Sequence, residues 1–440
     1  MAALFIPILN LIIILDINNF VEIKKVEIYG NSFFSEGYLL RDYKPFKNFY
    51  DIEKFIKKIL FYYNNAGFPF CKVYPEFREL DKGKELMLKI DEGERVIIKD
   101  YLFRTDGKTN IQSLRRIARV KKNRFFSLNN LNITKNEILK TNTFIEVKEN
   151  ILKEKENYYL YFEIKEKSSD YLLGGGSFSQ KNSQLSFEFS SLNVLGTLRR
   201  LQVCYEMGIS ESKKKNVVVN FLEPVLLNPV TFNTQFQILS YDSAHLSKFY
   251  INFNAPVNNH LNVMLLSGFE LTNYLSVYGI YSNTRTILGT GLDFYLSTGD
   301  YEISNSIKSD YLIRDAERVR IFFDGTVRWG HLFIKPHYRR VITDSFEYFD
   351  YIRIGGAGSL RGYMEEEFIL KQTLWFNLEY KRLPIYPLVD IGWIKDECIY
   401  SYGFGIDART SSLNSSIAFA IPKNGKWYDA KIHILLEKNL

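Results

Sequence analysis

The sequence predicts two small α+β modules followed by an all-β transmembrane barrel of about 16 antiparallel strands. Three observations carry this. Residues 169–440 alternate apolar and polar side chains with a period of two and lose helical periodicity. Residues 21–168 instead repeat one order twice: strand, helix, strand, strand. After residue 20 no run reaches the 18 consecutive apolar residues that a membrane-spanning helix needs.

The chain opens with MAALFIPILNLIIILDINNF, nearly all apolar over residues 3–15, and 1–20 read as a secretory signal peptide. The first module is read at 21–93. "VEIKKVEIYGN" is a strand ending in a Gly-Asn turn. In "YDIEKFIKKILFYYNNAGFPF", Ile52, Phe55, Ile56, Ile59 and Leu60 fall at helical spacing, and Asn-Asn-Ala-Gly stops the helix. "CKVYPEF" and "KELMLKIDEG" are two strands about a short turn. The second module is read at 94–168, with "ERVIIKDYLFR" as a strand, "NIQSLRRIARV" and "SLNNLNITKNEILKT" as helices, and two strands around a charged turn in "FIEVKENILKEKENYYLYFEIKEK". Neither module buries much apolar area alone. Tandem units of this size more often bind or space than catalyse.

The barrel is read at 169–440. In "SQLSFEFS", Leu185, Phe187 and Phe189 face one way and Gln184, Ser186, Glu188 and Ser190 the other. In "LWFNLEYK", Leu374, Phe376, Leu378 and Tyr380 oppose Asn377, Glu379 and Lys381. In "YDAKIHILLE", Ile432, Ile434 and Leu436 oppose Lys431 and His433. A barrel in lipid needs an apolar outside, a wet inside and no open edge. Acids such as Glu188, Glu379 and Asp390 on the polar face fit that better than the alternative, a soluble all-strand protein. Aromatics at 16% suit strands and a lipid-facing surface. The hydrophilic stretch 299–320 reads as containing an outside loop.

Charge is uneven. Residues 21–168 hold 30 Lys/Arg against 22 Asp/Glu, while 169–440 hold 27 of each. The basic front suits anionic lipid or polypeptide. No stripe of arginines interleaved with aromatics supports nucleic-acid binding. Cys71, Cys204 and Cys398 lie far apart and form neither a metal pattern nor a disulfide framework. The five histidines form no HExxH or other metal set. "AGSLRG" lacks the spacing of a nucleophile elbow, and "GGGSFSQKNS" lacks the lysine of a phosphate loop. No catalytic residue and no cofactor are expected.

One stretch stands apart. "IRIGGAGSLRGY", residues 352–363, crowds glycines around a single arginine. Its Gly355, Gly356, Ser359, Leu360, Arg361, Gly362 and Tyr363 resemble the arginine signature of the Omp85 superfamily of outer-membrane barrels. "NVLGTLRRL" (193–201) resembles the start of that family's second barrel strand, and "NFLEPVLL" (220–227) the strand that follows. "NLEYKRLPIYPLVDIGW" (377–393) resembles the strand pair after the arginine loop, and "YGFGI" (402–406) the next strand. "YYNNAGF" and "DEGERVIIKDYLF" are similar to periplasmic POTRA modules.

The resemblance implies an arginine loop near 350–370 that folds back into the lumen. Arg361 would there meet Glu379 and Asp390 on the wall. It implies a bacterial outer-membrane location with the modules in the periplasm. Unfolded or partly folded outer-membrane polypeptides and the lipid bilayer are the implied partners, with periplasmic chaperones or accessory lipoproteins beside them. The implied function is assembly of client barrels, templated at a seam between first and last strands. Gly174, Gly175 and Gly176 weaken the first strand and mark that seam. The other reading is that these glycines only make room for a tight loop or the next turn. Two-partner-type secretion through the lumen is the alternative, and a count of two modules is closer to it; a passive pore is the third reading. Client strands would also add to module strands near 69–76 or 143–150.

Overall fold

The computed structural model describes residues 23–439 apart from 42, 81–82, 119–120, 169, 179–182, 210–212, 228, 259, 277–278, 314–316, 396 and 410–412. The leader read at 1–20 lies outside them. The chain forms two compact units. One comprises residues up to 104 with 118–139 and 147–164; the other comprises 105–117, 140–146 and 165–440.

In the first unit a three-stranded sheet runs Ile23–Tyr29, Gly83–Asp91, Lys72–Leu80. The first pair is parallel and the second antiparallel. Helix Phe49–Asn65 lies over it, with Ile52, Phe55, Ile56, Ile59 and Tyr63 buried at the spacing of one helix face. The Asn48 side chain accepts from the Asp51 N–H and caps the start. Gly67 (φ +107°) follows the last turn. A four-stranded sheet follows, ordered Arg124–Phe125, Ile97–Thr105, Asn157–Glu166, Phe144–Glu154, with helices Ile111–Ile117 and Leu128–Lys140. Lys72–Leu80 and Phe144–Glu154 are sheet edges.

The second unit is a closed barrel of sixteen antiparallel strands. Its first strand, Asp170–Phe178, pairs with the second, Gln184–Ser191, and with the last, Lys431–Asn439. Strand lengths differ round the wall. First and last strands have nine residues, whereas the seventh (Leu261–Ser276) and eighth (Gly279–Thr298) have 16 and 20. Nine to eleven tilted residues span a bilayer. The seam side is therefore as short as a spanning wall can be.

Alternation sorts the side chains. Phe187, Phe189, Leu265, Phe269, Leu288, Leu292, Phe404 and Ile432 are exposed on the outside, while Glu270, Arg285, Asp310, Arg320, Glu379 and Asp390 are buried within. Tyr301 stacks on Trp329 at one rim, an interfacial aromatic pair. An apolar outside on an edgeless barrel makes this wall membrane-spanning.

One expectation needs correcting. Residues 193–196 do not start the second strand. They form a 3₁₀ turn before the third, Arg200–Gly208. Asn193 is fully buried there, accepts from the Leu198 N–H and donates to Thr109 Oγ1 at 2.7 Å, so its side chain builds the turn. Within 299–320, Tyr301–Ile313 is the ninth strand and Arg318–Trp329 begins the tenth, with Asp310 buried in the wall. The loop expected in that stretch falls between these strands, where 314–316 lie outside the described residues.

Candidate functional site

Between the eleventh strand (Leu332–Ile342) and the twelfth (Gln372–Tyr380), residues 343–371 leave the wall. A short hairpin, Ile352–Ile354 against Phe368–Leu370, forms the stem. The motif lies between its arms.

Arg361 sits at the centre. Its backbone N–H and Nε donate to Asp390 Oδ2 at 2.8 and 2.9 Å, and Nη2 donates to Asp390 Oδ1 at 2.7 Å. Nη1 donates to Glu379 Oε1 at 2.6 Å. This is a bidentate fork on one carboxylate with a second carboxylate on the remaining edge. Asp390 is 0% exposed, Glu379 6% and Arg361 8%, so water screens none of these contacts well. Lys335 and Lys381 reach the other oxygen of Glu379 at 3.5 and 3.4 Å.

The rest of the motif places that guanidinium. Leu360 is fully buried in a cluster with Ile354, Tyr363, Leu370 and Trp375. Ser359 Oγ accepts from the Gly355 N–H at 2.7 Å, and Asn377 Nδ2 donates to the Ser359 carbonyl at 2.6 Å. Tyr363 Oη donates to the Tyr400 carbonyl at 3.0 Å. Gly362 has φ +90°, and a Cβ there would stand 2.8 Å from Ser401 Cβ and 3.1 Å from the Ile421 carbonyl carbon. Gly356 has φ +85°, and a Cβ would meet the Glu365 carboxyl. Both positions need a left-handed backbone and an absent side chain.

A second charged network was not foreseen from the sequence. Arg285, in the eighth strand, donates to Glu270 Oε1 at 2.8 Å and Asp350 Oδ1 at 3.1 Å, and also pairs with Glu347. Arg318 donates to Asp350 Oδ2 at 2.8 Å, Glu347 Oε1 at 2.7 Å and the Ser345 carbonyl at 2.8 Å. Arg320 donates to Glu270 Oε2 at 3.0 Å. Asp350 and Glu347 belong to the inserted loop; the arginines belong to the wall. The polarity is the reverse of the Arg361 centre. The only sequence signal was Glu270, Arg285 and Asp310 sharing inward parity on their strands.

Gly174, Gly175 and Gly176 sit in the first strand opposite Leu436, Leu435 and Ile434, and opposite Phe187, Ser186 and Leu185 on the other side. The barrel is closed there over eight residue pairs, Ile432–Phe178 to Asn439–Tyr171.

The fold recurs in solved structures. BamA from Haemophilus ducreyi lacking POTRA domains 1–3 superposes with TM-score 0.63 at 16% identity, over 95% of this chain and 99% of that one. The chain shares the fold of that barrel and its POTRA modules. CdiB from Acinetobacter baumannii gives TM-score 0.60 at 13% identity, over 95% of this chain and 90% of that one. CdiB from Escherichia coli gives 0.62 at 10%, over 96% and 91%. No family model and no curated protein matches the sequence. The likeness therefore rests on architecture: small sheets followed by a 16-stranded barrel.

Proposed function

We propose that this chain is a bacterial outer-membrane factor that handles other polypeptides, and that it assembles client barrels at the seam between its first and last strands. The modules would sit in the periplasm, with edge strands Lys72–Leu80 and Phe144–Glu154 able to accept an added client strand. No chemical step is needed; strand exchange and client folding supply the driving force.

One contrast supports assembly over passage through the lumen. The inserted loop is pinned inside the barrel by two buried networks of opposite polarity. Clearing the lumen breaks the ion pairs of both networks, and an unfolded chain in transit supplies no fixed partners in their place. Parting the seam separates eight residue pairs, and in lipid their backbone groups must be re-paired by an incoming strand. A client strand restores those bonds as it pairs, so exchange is close to balanced.

Secretion through the lumen is the second reading, favoured by the two small sheets that precede the barrel. Depletion followed by outer-membrane proteomics separates the readings. Loss of many barrel proteins together supports assembly. Loss of one exported polypeptide with barrels intact overturns it in favour of secretion. A large steady conductance in planar bilayers with no client loss points to a passive pore.

A further inference from the structure

The first unit holds a cavity of about 520 Å³ that belongs to neither charge centre. It lies beside the segment 121–127, where the basic stretch RRIARVKKNR ends. Its floor is apolar: Ile98 and Tyr101 from one strand and Leu160 from the neighbouring strand are all buried. Phe125 and Phe126 form a wall that is pinned in place. Phe125 pairs with Ile97 in the sheet, the Phe126 N–H donates to the Val96 carbonyl at 2.9 Å, and the Arg95 guanidinium lies 3.7 Å over the Phe125 ring. The other wall is the start of helix Leu128–Lys140, where Asn65 Oδ1 accepts from Ser127 Oγ at 2.9 Å and from the Asn129 N–H at 2.8 Å. Protein interiors pack as densely as organic crystals, and an unfilled void of this size weakens a small module. Fixed parts frame this one, and its volume falls in the roughly 300–1,000 Å³ range of small-ligand sites. Two cations line it as well. Lys121 and Arg124 are exposed, and neither forms an ion pair among the described residues. Their neighbour Lys122 is instead tied to Asp100 at 2.8 Å.

We propose that this cavity binds a single-chain anionic amphiphile, with the alkyl chain on Ile98, Tyr101 and Leu160 and the carboxylate or phosphate at Lys121 and Arg124. The lining sets each part of that ligand. Hydrocarbon and ring carbon dominate the floor, so each methylene buried there adds to affinity. Arginine offers a fork that matches a carboxylate or phosphate, and lysine adds a point charge. Both cations come from one segment, which the Ile98–Arg124 strand pair holds against the sheet. A bare inorganic anion leaves the floor uncovered, and an uncharged lipid leaves both cations unmatched. An extended peptide carries backbone N–H and C=O groups that an apolar floor cannot pair. The site is independent of strand exchange at the seam, because no residue that lines it belongs to the barrel.

The test uses the full chain in phosphatidylcholine nanodiscs and palmitic acid carrying a mid-chain diazirine as probe. After irradiation and digestion, adducts are mapped by mass spectrometry, with label on the outward faces of the barrel strands as reference. The expected result is saturable labelling of peptides covering 97–104, 121–130 and 157–164, while barrel labelling rises linearly with dose. Lys121→Ala/Arg124→Ala alters two exposed side chains, so folding is not at risk. It should raise the half-saturating concentration by about tenfold or more, the effect of losing charge-assisted contacts. Competition then identifies the head group. Displacement by unlabelled palmitate or by lysophosphatidylglycerol supports the site, and the one that acts at lower concentration shows whether carboxylate or phosphate is preferred. Methyl palmitate or inorganic phosphate displacing the probe as well as palmitate does would overturn the proposal, because the first lacks the charge and the second the chain. Labelling that never saturates, no adduct on these peptides, or unchanged labelling in the charge variant overturns it equally.

Discussion

Replacing Arg361 with alanine removes three side-chain hydrogen bonds, two to Asp390 and one to Glu379. Asp390 is fully buried and has no other cation within ion-pair distance among the described residues, so its charge is left facing a void. Glu379 fares better because Lys335 and Lys381 remain near. Removing one partner from a buried pair costs about 3–5 kcal/mol. At about 1.4 kcal/mol per tenfold, the docked loop tip loses a factor of roughly 10² to 4 × 10³ against its released form. The barrel itself should stay closed, because no strand pair involves Arg361. Limited proteolysis of the purified protein reads this directly, since cleavage of a rapidly reclosing segment follows its open population. Cleavage within 355–367 should accelerate by at least a hundredfold, with heat-modifiable mobility unchanged. Arg361→Lys should fall between, because an ammonium cannot form the fork. Unchanged cleavage at 350–370 in the alanine variant would refute the claim that this guanidinium holds the loop.

Asp350→Asn should free the stem in the same assay, by about 3 kcal/mol or more, because Arg285 and Arg318 both lose a carboxylate. Combined with Arg361→Ala it should release the whole of 343–371, and the combined cleavage rate should exceed the product of the single effects because both networks hold one segment. A Ser177→Cys/His433→Cys pair in a background lacking the native cysteines should form a disulfide across the seam, since these residues face each other. The oxidised form should lose client assembly and reductant should restore it; full activity while oxidised would sink the seam mechanism. Cys71 is buried, and burial beside Glu92 and Asp91 pushes its thiol up to about 12. At pH 8 it therefore stays protonated and should resist iodoacetamide in the native protein while exposed Cys398 reacts, as mass spectrometry of the alkylated peptides would show. Asn48→Ala should cost about 1 kcal/mol in the stability of the first unit, through loss of the helix cap, measured by urea titration.

Much of this architecture can be read from side-chain period alone. Leu185, Phe187 and Phe189 against Ser186 and Glu188 give a wall strand and its two faces without any template. Ile52, Phe55, Ile56 and Ile59 give a helix and the side that packs. Period fixes the face but not the partner. Arg285 and Asp350 meet across 65 residues, and nothing local in either segment names the other. The 193–196 turn misleads for a different reason: Asn193 reads as strand onset, yet its side chain turns back to cap Leu198. The stretch 299–320 reads as hydrophilic along its length partly because the ninth strand carries lumen-facing polar residues such as Asp310.

The two networks are better understood as specifying a position than as adding stability. Burying eight charged groups in the lumen wall and loop is expensive, and apolar residues of similar volume often do as well or better. Polarity, however, carries information that apolar packing lacks. The loop tip presents a cation to wall acids, and the stem presents acids to wall cations. Sliding the loop along the lumen, or exchanging tip for stem, brings like charges together in a medium that screens them poorly. Only one seating satisfies both centres. That seating places Glu365 against Ser177, on the first strand of the seam. The loop is therefore positioned relative to the one strand pair whose exchange the proposed function requires, and a change at either charge centre should be felt there.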